Sequence, residues 1–269
     1  MLKLAFLASL LCSIGDTLAE NFYLERVMNL PLDAKTLAES EKKIKEHKNI
    51  KIRDDIDVPP FHKRKTGTDP LANTFCTTCH LSPPHTKSLR KRSFLNMHTR
   101  YVACESCHLR PEDVKMKFVW VDYDKEQTVD GQPGLFRTVN KSKKQKIVDQ
   151  TKPKENKAKT RPNVRIAPFH QGQPALILQS NDFAKDTANI WKNGSLQEKV
   201  KRRAKIHLPL EKEGPPCQDC HQSEKPMLNL PDLGATKSQA AKIQHHTIPQ
   251  FFQRYTDDEQ QIKIESLLK

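Results

Sequence analysis

Three copies of one short pattern, Cys-x-x-Cys-His, contain six cysteines and three histidines of this 269-residue chain. Two thiols separated by two residues reach the same side of a tight turn, where they can bond the two vinyl groups of one porphyrin. The histidine that follows is then held beneath the iron as its proximal ligand. The pattern therefore predicts three covalently attached c-type haems. The predicted attachment cysteines are Cys76, Cys79, Cys104, Cys107, Cys217 and Cys220, and the predicted proximal ligands are His80, His108 and His221.

Two other uses of these cysteines explain less of the pattern. The first two motifs together would supply four thiolates for a zinc site, but the third motif would then lack a partner pair. Zinc also gives no reason for a histidine after every second cysteine. A thioredoxin-like redox role requires a βαβ context, which surrounds none of the motifs. The repeated histidine favours haem.

Residues 1–19 have the pattern of an export signal. Lys3 precedes an apolar run at residues 4–11, and Ala19 ends a small-residue cleavage site. The run is far shorter than the roughly 20 residues that span a bilayer, which makes an uncleaved anchor the weaker interpretation. Cleavage before Glu20 removes Cys12 and leaves only the six motif cysteines. We expect export to the periplasm or to the extracellular space, where free thiols would otherwise form disulfides.

The composition is that of a chain wrapped around cofactors. Hydrophobic residues make up 36% of the sequence and aromatic residues 6%, with a mean hydropathy of −0.74. A core built from protein alone would be thin for this length, and porphyrin faces would supply the missing apolar surface. We therefore expect a mostly irregular and helical, loop-rich fold with a small β-hairpin insertion. A partly disordered basic protein is the alternative that composition leaves open.

Five segments follow the export signal. Residues 20–60 contain a charged surface helix with Asp33 as its N-cap, and residues 61–113 contain the first two motifs. Residues 114–180 form a β-rich insertion, with predicted strands at 114–121, 135–139, 164–169 and 175–178 and a lysine-rich loop at 141–161. Residues 181–230 contain the third motif, preceded by a helix with a capping box from Ser195 to Glu198. Residues 231–269 form a helical tail, with a final helix capped by Thr256.

Three further histidines are candidates for the distal position on the irons. Two prolines before His85 favour an extended path that leads it away from the iron of its own motif. His98 lies six residues before Cys104, too close in sequence to reach the far face of the haem attached there. His207 lies on the apolar face of the helix that begins after Ser195. Each could instead be an ordinary histidine, at the surface or, for His207, at a helix C-terminus.

The segment around the first two motifs and the region around Cys217 resemble multihaem c-type cytochromes. In that family a histidine shortly before or after one motif ligates an adjacent haem, which the resemblance implies for His85, His98 and His207. The histidines that remain in reserve are His62, His170 and His246.

The chain is strongly basic, with a formal net charge of +14. Nucleic acid is the usual partner of such a chain, but export separates it from the genome. Three other uses of the charge remain: neutralising haem propionates, steering redox proteins with acidic faces, and attracting anionic membrane surfaces.

The resemblance implies an electron-transfer protein, without enzymatic activity, that relays electrons between redox partners. Histidines on both sides of each iron would close its axial positions to substrates. One alternative is a multihaem reductase, or its subunit, with one open iron that acts on a small oxidant. Another is a homo-oligomer, such as a subunit of an extracellular cytochrome filament. The sequence leaves open the electron donor, the electron acceptor and which distal histidine ligates which iron.

Overall fold

A computed structural model describes residues 21–47, 74–80, 84–85, 92–129 and 163–254. Several expectations lie outside the described residues: the export signal with Cys12, His62, the strand at 135–139, the lysine-rich loop at 141–161 and the tail helix capped by Thr256.

Helices make up most of the regular structure in the described part of the chain. Their bounds are α1 Phe22–Asn29, α2 Ala34–His47, α3 Arg92–His98, α4 Cys104–His108, α5 Asp182–Asn193, α6 Leu196–His207, α7 Cys217–Cys220, α8 Lys237–Gln244 and α9 Thr247–Arg254. Two predicted N-caps are confirmed. The Asp33 carboxylate accepts a hydrogen bond from the Thr36 amide at 2.7 Å before α2, and Ser195 and Glu198 form the capping box of α6.

Four strands form one antiparallel sheet in the order β2-β1-β3-β4. Their bounds are β1 Lys117–Asp122, β2 Gln127–Val129, β3 Val164–His170 and β4 Gln173–Pro174. Trp120 of β1 pairs with Val129 on one side and Ile166 on the other. The predicted strands at 114–121 and 164–169 are therefore confirmed in type, although β1 begins only at Lys117.

The predicted strand at 175–178 is wrong. The ladder with β3 stops at Pro174, and the next residues, Ala175, Leu176 and Ile177, are buried without joining a strand. The Leu176 carbonyl instead accepts a hydrogen bond from the side chain of Asn21, the N-cap of α1. A short apolar run can fill a core either as a strand or as irregular chain. Its hydrophobic pattern alone therefore does not identify a strand.

The sheet holds the second motif in place through a single residue of β3. The Ile166 carbonyl accepts hydrogen bonds from the Ala103 amide and the Ser106 hydroxyl, both at 2.8 Å. The Ile166 amide donates to the Tyr101 carbonyl at 2.7 Å. The chain that leads into Cys104 therefore continues the pairing of β3, so the β-rich insertion supports the second motif directly.

The buried apolar side chains of the described residues form three clusters, and each cluster reaches a motif. The first includes Phe75 and Leu109, which adjoin the first and second motifs. The second contains Trp120 and packs against Cys220. The third includes Ala103, immediately before Cys104. The core is therefore divided among the three motifs.

The N-terminal helices pack against α6. Tyr23 of α1 is fully buried and its hydroxyl donates to the Ile206 carbonyl at 3.0 Å. The Ser40 hydroxyl of α2 donates to the Val200 carbonyl at 2.9 Å. These contacts position the helix that ends at His207. Within the described residues, no helix combines the length and apolar character needed to cross a membrane.

Trp120 provides a direct test of how the sheet is joined to the segment after the third motif. Its indole N–H donates to the Leu233 carbonyl at 2.8 Å in a buried position. We expect Trp120→Phe to lower the free energy of unfolding by about 1–3 kcal/mol, because a buried carbonyl loses its donor. Chemical denaturation would measure the change, with Trp191→Phe on the half-buried face of α5 as the control. Equal stabilities of the two variants would contradict this role.

Candidate functional site

Each motif folds as a short helical turn that brings its two thiols together. The first motif forms a 3-10 helix at Cys76–Thr78, whereas the second and third are α4 and α7. The His80 amide donates to the Cys76 carbonyl and the His221 amide to the Cys217 carbonyl, both at 3.0 Å. All six motif cysteines lie in the described residues, and none of them forms a disulfide there. The turn that covalent attachment requires is therefore present three times.

The three motifs converge on the second one. The Cys76 thiol donates to the Glu105 carboxylate at 3.3 Å. Its hydrogen bond with the Cys104 thiol, together with burial, raises the pKa of Cys76 well above its usual value. On the other side, burial and the nearby Cys107 thiol raise the pKa of Cys220 to about 12. Cys104 thus faces the first motif, and Cys107 faces the third.

Two histidine pairs have the separation expected across a metal ion. The ring centres of His80 and His207 are 5.9 Å apart, and those of His98 and His221 are 6.1 Å apart. A metal–imidazole bond is about 2 Å long and the ring centre lies about 1 Å behind the nitrogen, so two axial imidazoles have centres about 6 Å apart. In each pair one histidine ends a motif and the other is a predicted distal ligand.

His85, the third distal candidate, is held by a side chain of α3. Burial lowers the pKa of His85, the hydrogen bond that its Nδ1 donates to Asn96 Oδ1 raises it, and the His108 and His98 imidazoles lower it further. The Asn96 side chain accepts from the His85 amide and donates to the His85 carbonyl, both at 3.0 Å. Asn96 of α3 therefore fixes His85 from the chain segment that also carries His98.

Five of these six histidines have Nδ1 bonded to an oxygen that can only accept a hydrogen. The donor–acceptor pairs are His85 with Asn96 Oδ1 at 3.0 Å, His98 with the Phe94 carbonyl at 2.7 Å, His108 with the Glu211 carbonyl at 2.8 Å, His207 with the Arg203 carbonyl at 2.9 Å and His221 with the Ile243 carbonyl at 2.6 Å. The proton therefore resides on Nδ1 and leaves the lone pair on Nε2. Metal-ligating histidines are oriented by hydrogen bonds of this kind.

Burial also keeps two of the histidines neutral. Desolvation, reinforced by the positive charges of Arg203, His80 and His108, lowers the pKa of His207 to about 4. Desolvation likewise lowers the pKa of His221. Iron binds the neutral form of imidazole, so both side chains are ready to act as ligands at neutral pH.

The thiols do not have the character of redox-active cysteines. Burial raises the pKa of Cys79 and of Cys107 to about 11 each, whereas reactive cysteines have a lowered pKa. Within the described residues, no group of three or more His, Cys, Asp or Glu side chains is arranged to hold a metal ion.

Two of the reserve histidines, His170 and His246, lie in the described residues. The His170 ring packs edge-on against Phe22 of α1, with ring centres 5.0 Å apart. His246 is exposed and lines an open groove of about 620 Å³ between α8 and α9. Its charge still lowers the pKa of His221, after desolvation and the charge of His98. The His170 ring thus has its contact on α1, whereas His246 lies within electrostatic reach of His221.

Sequence reasoning missed a buried polar cluster between the first and second motifs. Glu105, Arg165 and Tyr123 are all buried, and the Arg165 guanidinium lies 5.8 Å from the centre of the Tyr123 ring. Burial raises the pKa of Glu105, and the hydrogen bond from Cys76 and the charge of Arg165 act against that rise. Glu105 occupies a variable position of its motif, so its residue type carried no signal of burial.

Two buried polar atoms in the described residues have no hydrogen-bond partner: Nε of Arg110 and the hydroxyl of Tyr123. An unsatisfied buried donor costs about 1–3 kcal/mol. Both residues lie near motif cysteines, since Arg110 influences the pKa of Cys107 and the Cys104 thiol influences that of Tyr123. Unsatisfied donors at these positions suit a cofactor that brings its own acceptors, as the propionates of haem would.

No protein-family model matches the chain, and neither a curated protein nor a solved structure shows a match to it. The kind of site is therefore inferred from the side chains that it contains. They consist of three pairs of thiols, each followed by a histidine, and of three histidines from other segments beside them. These residues fit c-type haem, which takes two thioether links and axial imidazoles.

The histidine pairs predict which iron each distal ligand serves. With haem attached at the motifs, His207→Ala should open the iron above His80 and His98→Ala the iron above His221. Each single variant should convert one haem in three to a high-spin form that binds carbon monoxide. Because the two pairs are separate, the double variant should convert two in three. Optical titration with carbon monoxide and electron paramagnetic resonance would measure these fractions.

The matched control is His245→Ala, which alters an exposed histidine of the groove between α8 and α9. It should leave all haem low-spin. A double variant that opens only one haem would contradict the assignment of the two histidines to different irons.

Proposed function

We propose that the protein is a trihaem c-type cytochrome that relays electrons between redox partners outside the cytoplasm. The observation that carries the proposal is the pairing of two motif histidines, each with a different distal candidate. His80 lies beside His207 and His221 beside His98, while His85 lies within electrostatic reach of His108. The sequence alone predicts all three distal candidates.

The two pairs are interlaced along the chain. His98 precedes the second motif but pairs with the third, and His85 is the candidate that remains for the second. His207 precedes the third motif but pairs with the first. Each distal ligand therefore comes from a segment next to another haem, as it does in the multihaem cytochromes that the motifs resemble. This arrangement supports three neighbouring haems rather than three independent sites.

Closed axial positions favour electron transfer over catalysis. Haem bound between two histidines supplies a one-electron Fe(III)/Fe(II) couple, and histidine pairs favour a low potential. The protein's part is to hold both imidazoles, with Nδ1 fixed on an oxygen in five of the six described rings. Two of the three irons would have both axial positions closed by a histidine pair, and His85 is the candidate for the third; this supports electron transfer over the reductase alternative.

The position of the second motif suggests the order of electron transfer. Cys76 of the first motif touches Glu105, and Cys107 is close to Cys220 of the third motif. The middle haem in the sequence would thus also be the middle haem in space. Electrons would enter at one outer haem, cross the central haem and leave at the other outer haem.

The charge of the chain suggests its partners. A net charge of +14 would speed association with redox proteins that present acidic faces. An anionic membrane surface would attract the same charge. The export signal predicted at residues 1–19 places the proposed function in the periplasm or the extracellular space.

Intact-mass measurement of the exported protein tests the proposal most directly. We expect a chain that begins at Glu20 and carries three haem groups, with low-spin ferric spectra and no reaction with carbon monoxide. Replacing both Cys217 and Cys220 by serine should leave two haem groups. Cys12→Ser, which lies outside the motifs, should leave three.

A colourless chain of unmodified mass would overturn the proposal. Three haem groups with one high-spin, carbon monoxide-binding iron would instead favour the reductase. Size measurement of the same sample would detect a filament or other oligomer.

A further inference from the structure

Arg110 is one of the two described residues that bury a polar atom without a hydrogen-bond partner. It follows the second motif, two residues after His108, and its Nη2 donates to the Glu213 carbonyl at 2.8 Å. Its Nε is buried and has no hydrogen-bond partner. Neighbouring Leu109 is buried in the first core cluster, which restricts where the chain at Arg110 can move.

No carboxylate of the described residues forms an ion pair with Arg110. Asp113, three residues on, pairs with Arg26 at 2.5 Å. Glu213 contacts Arg110 through its main-chain carbonyl rather than through its carboxylate. The buried Nε of this half-buried side chain therefore requires an acceptor that these residues do not supply. Planar carboxylates are the acceptors that the fork of N–H groups fits best.

The same short peptide segment fixes both Arg110 and the proximal histidine of the second motif. His108 Nδ1 donates to the Glu211 carbonyl at 2.8 Å, and the Glu211 amide donates to the His108 carbonyl at 2.7 Å. Two residues later the Glu213 carbonyl accepts from Arg110. The guanidinium and the imidazole are therefore held in a fixed relation to each other.

The segment also lies against the attachment site of the second motif. A Cβ atom placed on Gly214 would be 3.7 Å from the Cβ of Cys107. The guanidinium is thus positioned beside the second motif rather than the first or third.

We propose that Arg110 holds a propionate carboxylate of the haem attached at Cys104 and Cys107. This inference rests on the proposed function and adds a positioning residue to it. The carboxylate supplies the acceptor that Nε lacks, and the guanidinium balances its negative charge. Negative charge near the iron favours Fe(III), so the pair keeps the potential of the central haem higher than an unpaired propionate would.

Voltammetry of the holoprotein tests the inference, because it resolves the three haem couples. The couple of the central haem is first identified with His85→Met, since a methionine ligand raises its potential. Arg110→Gln should lower the potential of that same couple and leave the other two unchanged. Lys192→Gln, which removes an exposed charge at the end of α5, is the control and should shift none.

Two results would overturn the role of Arg110. One is an Arg110→Gln variant whose three haem potentials are unchanged while its melting temperature is lower. That result would indicate that the side chain only anchors Glu213. The other, which needs no variant, is a crystal structure of the holoprotein in which no propionate oxygen lies within hydrogen-bond distance of Nε. A wild-type protein that carries no haem would instead refute the proposed function itself.

Discussion

The arrangement of the motifs depends on the way main-chain atoms hold α4 from two sides. On one side the Ile166 carbonyl of β3 binds Ala103 and Ser106, and on the other Glu211 binds His108 through both its amide and its carbonyl. Hydrogen bonds to backbone atoms leave little rotational freedom, so the short helix has one orientation. The first motif then packs on the Cys104 side and the third on the Cys107 side. A helix of five residues could not keep this position by its own propensity.

The two histidine pairs join segments that are far apart in the sequence. His80 and His207, like His98 and His221, come from segments that are separated by the whole β-rich insertion. Bringing such distant segments together costs conformational entropy, and the buried apolar clusters offset only part of that cost because each of them is small. In the proposed cytochrome each iron joins two of these segments, so haem attachment stabilises the same contacts that build the site. Folding and cofactor binding would therefore be linked, as they are in other proteins whose metal ligands are distant in sequence.

Local sequence patterns correctly predict those elements whose formation depends on neighbouring residues. The caps at Asp33 and Ser195 and the strand at 164–169 follow from short-range chemistry and are found in the structure. The three distal candidates could be named for a similar reason, because proline stiffness, tether length and helical periodicity are local constraints. Their pairing could not be predicted, since it depends on which segments the sheet and α6 bring together. The run at 175–178 failed because its hydrophobicity reflects burial, and burial does not determine hydrogen bonding.

The buried polar residues are harder to explain by the protein alone. Glu105 and Arg165 lie in the interior beside Tyr123, whose hydroxyl has no partner. Burying such groups is unfavourable unless each is hydrogen-bonded. They lie between the first and second motifs, where the core divides into separate clusters. In the proposed cytochrome, a large flat cofactor would add apolar surface to those clusters and present polar edges at its rim. On that proposal the polar residues near Cys76, Cys104 and Cys107 would line the cofactor sites, and the Tyr123 hydroxyl would gain the acceptor that it lacks among the described residues.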